Sequence, residues 1–238
     1  MLSRRPMVVL ILAGVTLVAA MTWHSSASPA RVLTAQSGAI KGHGGTGSRT
    51  DYQCKSPTGA YVLTGGAAFP NCISPGEGGT GWAVEEAIPA DPSYLTWAAI
   101  DFQPSTLGMS VTQLNTLSTD YFVKTGSCGA GDPRFELWLY NPTTNDASHI
   151  FSYIGTPPFG SGCTSGSWQS TGNVAAPTAY VDDSQLPGGS VSDTWAHLQA
   201  AYPGYLVEHI EIGADSTANP LTVDYDNTKI NSTLYTYN

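Results

Sequence analysis

From about residue 81 to the end of the chain, short apolar and aromatic runs alternate with clusters of Gly, Pro, Asn and Ser. The runs are GWAVEEAI, YLTWAAIDF, STDYFVKT, RFELWLY, HIFSYIG, YLVEHIEIGA, LTVDYD and STLYTY. Runs of this length, separated by turn residues, are typical of antiparallel strands. The pattern predicts an all-β fold, an antiparallel two-sheet β-sandwich with one short helix, over residues 51–238.

The short helix is predicted at residues 193–201. Trp195 and Leu198 follow helical spacing there, Ser192 is placed to cap the first turn, and Pro203 ends the helix. We expect this helix to lie as a lid on the sandwich.

The N-terminal residues have the pattern of a secretory signal peptide. Arg4 and Arg5 precede the uncharged residues 6–23, and a segment of small residues follows. Cleavage after Ala27 or after Ala30 fits equally, because a Ser lies near each at the position that signal peptidase reads. The twin arginines fit a twin-arginine signal as well as the general secretory route. The alternative is that the apolar segment stays uncleaved as a membrane anchor.

These features divide the chain into three parts. We assign residues 1–30 to the signal peptide, residues 31–50, which are rich in Gly and Ser, to a flexible tether, and residues 51–238 to the folded domain. The expected location is therefore outside the cell, with no stable membrane insertion after cleavage.

Cysteine usage agrees with an oxidising compartment. All four cysteines follow the signal peptide, and an even number in an exported chain predicts two disulfides. Of the three connectivities we favour Cys54 with Cys72 and Cys128 with Cys163, because the second pair lies just outside the ends of a predicted hairpin.

Charge and motifs exclude several function classes. The chain has 18 acidic and 9 basic residues, so its surface repels phosphate backbones and nucleic acid is not an expected partner. The sequence contains no H-E-x-x-H zinc motif, no G-x-S-x-G nucleophile motif, no phosphate-binding glycine loop and no EF-hand loop. No cofactor is expected, apart from a structural calcium for which Asp224 and Asp226 are the candidate ligands.

Alternation along two neighbouring strands gathers aromatic residues on one face of a sheet. In RFELWLY the apolar Phe135, Leu137 and Leu139 point to the core, and the other residues point away from it. If RFELWLY and HIFSYIG form a hairpin, the outward face carries Glu136, Trp138, Tyr140, Phe151 and Tyr153, with Arg134 at the strand entrance. Aromatic rings beside a few polar groups suit sugar rings. The alternatives are that this face is a second minor core, and that Arg134 pins a loop through Asp132.

Catalysis would need a pair of carboxylates, for which Glu136 and Glu208 are the candidates. Glu208 points to the same side of the predicted strand as the apolar Ile210 and Ile212. We therefore expect Glu208 on the core side, with a perturbed pKa. A one-residue bulge would instead turn Glu208 to solvent.

Two segments resemble parts of secreted bacterial β-sandwich domains of the jelly-roll or concanavalin-like kind. TVDYDNTKINSTLYTY is similar to their closing strands, and SCGAGDPRFELWLY with GCTSGSWQSTGN is similar to a disulfide-framed hairpin. The E-x-D-x-x-E signature of concanavalin-like glucanases is absent. The resemblance implies a polysaccharide or cell-surface glycan as partner. The favoured function is non-catalytic carbohydrate binding; the alternatives are a glycoside hydrolase or polysaccharide lyase, and a structural cell-envelope protein without a small ligand.

Overall fold

Every strand run predicted from the sequence forms an antiparallel strand in the structure, a computed structural model. It describes residues 62–65, 71–73, 77, 83–91, 97–102, 108–129, 131–157, 160–215 and 219–237. These residues all belong to one unit, Arg49–Asn238. The predicted signal peptide and tether lie outside the described residues.

The elements are numbered in chain order. The strands are β1 (Val62–Gly65), β2 (Asn71–Ile73), β3 (Ala83–Ile88), β4 (Trp97–Asp101), β5 (Met109–Ser110), β6 (Leu117–Thr125), β7 (Arg134–Asn141), β8 (Asp146–Tyr153), β9 (Trp168–Ser170), β10 (Tyr180–Val181), β11 (Asp193–Thr194), β12 (Leu206–Asp215), β13 (Leu221–Ile230) and β14 (Thr233–Tyr235). A 3-10 helix covers Val111–Gln113, and the α-helix α1 covers Trp195–Ala201.

The strands form two sheets, each with six of the described strands. Sheet A has the order β1-β4-β12-β7-β8, with β5 pairing β12, and sheet B has the order β2-β3-β13-β6-β9, with β14 pairing β13. The named strand pairs are antiparallel, and β10 and β11 form a separate ribbon. The predicted antiparallel two-sheet β-sandwich is therefore confirmed.

Side chains from the inner faces of both sheets form one apolar core. Phe135, Leu137 and Leu139 of β7 are fully buried there, as the alternation predicted, and they belong to the same cluster as Val123 and Tyr225 of sheet B. Burying such side chains is the main stabilising contribution to folding. The alternate residues of these strands, among them Glu136 and Trp138 of β7 and His149 of β8, lie on the outer face of sheet A.

The helix begins two residues later than predicted. Its N-cap is Thr194, whose side-chain oxygen accepts a hydrogen bond from the backbone N–H of His197. Ser192 does not cap the first turn. Trp195 and Leu198 are fully buried, so α1 covers an edge of the core as expected. Among the residues that the structure describes, no helix reaches the length and hydrophobicity that a membrane crossing requires.

Cys128 and Cys163 form a disulfide across 35 residues of chain, with Cα atoms 5.3 Å apart. It ties the segment before β7 to the segment after β8, so the predicted frame around this hairpin is confirmed. The other predicted pair involves Cys54, which lies outside the described residues.

Candidate functional site

Three carboxylates lie in one row across the outer face of sheet A. In the strand register Asp101 of β4 is opposite Glu211 of β12, and Glu211 is opposite Glu136 of β7. Phe151 of β8 continues the row beyond Glu136. Because directly opposed residues point to the same face of a sheet, the three acids are neighbours.

A β-bulge in β12 takes Glu208 out of the alternation of this strand. The register shifts between Val207 and His209, so Glu208 is the extra residue of the bulge. After the bulge Ile210 points into the core, and His209 and Glu211 point outward. The structure therefore pairs Glu136 with Glu211, and not with Glu208 as the sequence suggested.

Arg134 is held by three carboxylates at the edge of this row. Its Nη1 is 2.5 Å from Asp132 Oδ1, its Nη2 is 3.0 Å from Glu136 Oε2 and 2.8 Å from Asp215 Oδ2. The guanidinium also lies over the Phe151 ring, 5.2 Å from its centroid. The contact with Asp132 is the loop-pinning role considered as the alternative, and the other contacts orient Glu136.

The two facing glutamates have different protonation equilibria. Burial and the charges of Glu136 and Asp101 raise the pKa of Glu211 to about 7. Burial alone would also raise the pKa of Glu136, but the hydrogen bond from His149 and the charge of Arg134 outweigh it and lower that pKa below its ordinary value. The distance between His149 Nδ1 and Glu136 Oε1 is 2.7 Å. A divergent pair of this kind supplies one proton donor and one ionised oxygen at the same point.

Trp138 is the exposed aromatic ring beside these acids. It has histidines opposite it on both neighbouring strands: ring centroids are 4.0 Å apart for His149 and 5.7 Å for His209. Its side chain nevertheless remains 40% exposed. The indole therefore packs between two imidazole rings and still reaches solvent.

A second exposed tryptophan lies on the other side of the row from Trp138. Trp97 of β4 is 41% exposed and is opposite Asp215, at the end of β12. Between Trp97 and the two glutamates is a small cleft of about 20 Å³ with a floor of small residues. Its lining consists of Trp97, Ala98, Ala99, Arg134, Glu136, Glu211, Gly213, Ala214 and Asp215. Gly213 is required in this floor, because a Cβ there would lie 2.3 Å from the carbonyl oxygen of Ala98.

The other predicted ligand residues share the outer face but already have partners. The Tyr140 hydroxyl donates to Asn145 Oδ1 at 2.9 Å. Phe151 and Tyr153 are stacked with centroids 6.2 Å apart, and the Tyr153 hydroxyl donates to Asp182 Oδ2 at 2.7 Å. These rings form the flank of the face, whereas Trp138 and Trp97 are its exposed platforms.

The candidate calcium ligands lie in sheet B and have protein partners. Asp224 Oδ1 is 3.1 Å from Lys124 Nζ, and the Asp226 carboxylate accepts hydrogen bonds from the backbone N–H groups of Glu77 and Asn227. Within the described ranges, no group of three or more His, Cys, Asp and Glu side chains is arranged to hold a metal ion. A structural calcium stays a prediction.

Sequence reasoning missed the residues that reach the site from other strands: Trp97, Asp101, His209, Glu211 and Asp215. The alternation that joins His209 and Glu211 was visible in the sequence. Their proximity to Asp101, which lies 108 residues before His209, has no local signal. The contact between His209 Nδ1 and Asp101 Oδ2, 3.3 Å apart, depends on the sheet order alone.

No family model and no curated protein matches this chain. Among solved structures it is similar to one described as carbohydrate-binding modules from the beta-sandwich super family, at 6% identity and a TM-score of 0.34. That alignment covers 74% of this chain and 58% of the other. It is also similar to the endoglucanase cel12A of Rhodothermus marinus, at 10% identity and a TM-score of 0.37, covering 75% of this chain and 93% of the other.

A third similar structure is the xyloglucanase domain of NopAA from Sinorhizobium fredii, determined in complex with cellobiose. The identity is 13% and the TM-score 0.34, and the alignment covers 74% of this chain and 94% of the other. These are carbohydrate-binding and glucanase domains, the kind of domain that the sequence resembles. Because the TM-scores are below 0.5, the similarities assign neither a family nor an activity to this chain.

Proposed function

We propose that this protein binds a neutral polysaccharide on the outer face of sheet A. The observation that carries the proposal is that two exposed indoles, Trp138 and Trp97, lie on this face on opposite sides of the carboxylate row. The C–H faces of sugar rings stack on indoles, and carboxylates between them accept hydrogen bonds from sugar hydroxyls.

The distance between the two indoles favours a polymer over a single sugar. Trp138 is opposite His209, and Trp97 is opposite Asp215, six residues further along β12. Six residues of strand and two strand spacings separate the two positions by roughly 20 Å. A glycan that contacts both rings must therefore contain several sugar units.

The charge of the cleft favours a ligand without acidic groups. Asp101, Glu136, Glu211 and Asp215 contribute carboxylates to the face, and Arg134, which contacts Glu136 and Asp215, is also shared with Asp132. An anionic glycan would meet like charges at short range, which disfavours its binding. A neutral glycan carries no charge that these carboxylates would repel.

The setting proposed for this activity is outside the cell. An exported chain with a signal peptide and a flexible tether would meet polysaccharides of a cell wall or matrix. Export is an expectation from the N-terminal sequence pattern.

Affinity electrophoresis and pull-down with a panel of polysaccharides would test the proposal. The panel pairs neutral glucans, xylans and mannans with uronate-containing and sulfated polymers, and an oligosaccharide series is derived from each retained polymer. We expect retention by at least one neutral polymer, and an affinity that rises with oligosaccharide length until the ligand reaches both tryptophans. Retention by none would contradict the proposal and favour a structural role, and retention by anionic polymers alone would contradict its electrostatic part.

A further inference from the structure

We propose that the cleft also hydrolyses the glycan it binds, with Glu136 as nucleophile and Glu211 as general acid, and that the product keeps its anomeric configuration. This inference rests on the proposed function, because it takes the bound polysaccharide as the substrate. It goes beyond binding, because it assigns a reaction to a pair of side chains.

The two glutamates lie side by side on the sheet. Glu136 and Glu211 are directly opposed on adjacent antiparallel strands and point to the same outer face. Opposed side chains on one face have Cβ atoms about 4.5–5.5 Å apart. Glycosidases that retain configuration have carboxyl groups roughly 5–5.5 Å apart, whereas inverting enzymes need about 6.5–9.5 Å to admit a water molecule. From the opposed positions of the two residues we infer the shorter, retaining separation for their carboxyl groups.

The two carboxylates have opposite electrostatic environments. Glu136 Oε2 accepts hydrogen bonds from Arg134 Nε at 3.2 Å and Nη2 at 3.0 Å, and its Oε1 contacts His149. These donors keep Glu136 ionised and fix its direction. Glu211 instead lies between two further acids, Asp101 and Glu136, so a proton on Glu211 relieves repulsion on both sides. One group is held as an anion and the other is favoured as an acid.

The glutamate pair opens onto the outer face of sheet A. Both glutamates line the cleft whose floor is formed by small residues, Ala99 and Gly213. Trp138 lies in the next row of the same face, so a sugar stacked on it would place its neighbouring linkage over the glutamate row. A stacked platform beside a carboxylate pair positions the reacting bond as well as binding the chain.

The reaction balances with water as the co-reactant. A carboxylate oxygen of Glu136 bonds to the anomeric carbon as the bond from that carbon to the leaving oxygen breaks. The leaving oxygen keeps the electron pair and takes the proton of Glu211. Water then attacks the anomeric carbon, gives a proton to Glu211, and releases the Glu136 carboxylate. One water molecule is consumed, and one glycosidic bond becomes two hydroxyl groups.

The test measures release of reducing ends from every polysaccharide that the protein retains. We expect activity in the unaltered protein and about a 10²–10⁴-fold loss in Glu211→Gln, the range associated with general acid catalysis. Glu136→Gln should lose at least as much. Both variants should still be retained by the polysaccharide, because amide and carboxyl groups have nearly the same shape. Glu85→Gln, on the outer face of sheet B, is the matched control and should keep full activity.

Two further measurements make the assignment specific. Proton NMR of the first product should show the anomer of the substrate linkage, and the rate should fall as pH rises above about 7, where the pKa of Glu211 lies and its proton is lost. Glu208→Gln tests the other glutamate of β12 and should remain active.

The outcomes separate this inference from the proposed function. Retention without release of reducing ends would overturn hydrolysis and leave binding intact. Loss of activity in Glu208→Gln with an active Glu211→Gln would overturn the assignment of Glu211, and an inverted product would overturn the nucleophilic role of Glu136. If no polysaccharide is retained and none is cleaved, the proposed function itself fails.

Discussion

Arg134 Nη2 lies 2.8 Å from Asp215 Oδ2, an ion pair that joins the first residue of β7 to the last residue of β12. The same guanidinium contacts Asp132 and Glu136, so one cation compensates three carboxylates at the edge of the cleft. Its side chain is mostly buried, and solvent cannot replace these contacts fully. The position of Glu136 therefore depends on Arg134.

Replacing Arg134 with Met should destabilise the protein in a pH-dependent way. Removing one partner of a buried ion pair costs about 3–5 kcal/mol, because the remaining charges are uncompensated. Burial raises the pKa of Asp132 to about 6, with Arg134 opposing the rise. Below that pH Asp132 takes up a proton, so we expect the loss to be smaller at about pH 4 than at about pH 7.5.

Urea denaturation at both pH values would measure this difference. Lys229→Met, which removes an exposed cation from β13, is the control and should change the free energy of unfolding by less than about 0.5 kcal/mol. An Arg134→Met protein as stable as its parent at the higher pH would contradict the role given to the guanidinium.

The stability that Glu211→Gln gains over the parent protein should be larger at high pH than at low pH. A carboxyl group whose pKa is raised from 4.5 to about 7 by folding favours the native state only while it is protonated. Stability from this group is therefore present below pH 4.5 and falls as pH rises towards 7. The amide that replaces the carboxyl group does not titrate, so the difference between variant and parent should increase by about 3 kcal/mol from about pH 4 to about pH 8.

For Glu136→Gln we expect the opposite change of stability with pH. The pKa of Glu136 is lowered in the folded protein, so its charge stabilises the native state above the ordinary pKa of a glutamate. This variant should lose stability at about pH 8 relative to about pH 4. Urea denaturation of both variants across this range would measure the two profiles. Equal pH profiles for the two variants would contradict the different environments of these glutamates.

The disulfide should contribute measurably to stability. Cys128 and Cys163 close a loop of 35 residues, and a crosslink of that length restrains the unfolded chain by about 3–4 kcal/mol. The double variant Cys128→Ser with Cys163→Ser should unfold at correspondingly lower urea concentration. Peptide mapping without reduction should recover Cys128 linked to Cys163, and the same map tests the predicted link between Cys54 and Cys72. A Cys72 to Cys128 peptide would contradict both pairings.

The sequence predicted the fold where alternation was regular. The residues of β7 separated into buried Phe135 and Leu137 and exposed Trp138 as expected, because each strand has one face on the core. Glu211 keeps the outward position that its alternation with Ile210 and Ile212 gives it. The bulge at Glu208 interrupts that rule and brings Val207 to the core side, at a place set by the register shift of β12 against its partner strand. No pattern in a single strand specifies that position.

The composition of the site was less predictable than the fold. Asp101 meets Glu211 because β4 lies beside β12, and this order depends on long-range pairing of strands that are far apart in the chain. The raised pKa of Glu211 arises from these neighbours together with burial, so it too had no local signal. Arg134 with Asp132 was the exception, because the two residues are only two positions apart.

The most direct test of the account compares two tryptophan variants for affinity to a retained neutral polysaccharide. Trp138→Ala removes the exposed ring beside the glutamates, and Trp168→Ala removes a ring of sheet B that lies against Phe122. Both proteins should first be shown to be folded by their unfolding curves. We predict that Trp138→Ala weakens binding by about 2 kcal/mol, roughly thirtyfold, whereas Trp168→Ala binds like the parent. Equal affinity of Trp138→Ala and the parent, or the larger loss in Trp168→Ala, would contradict binding at the outer face of sheet A.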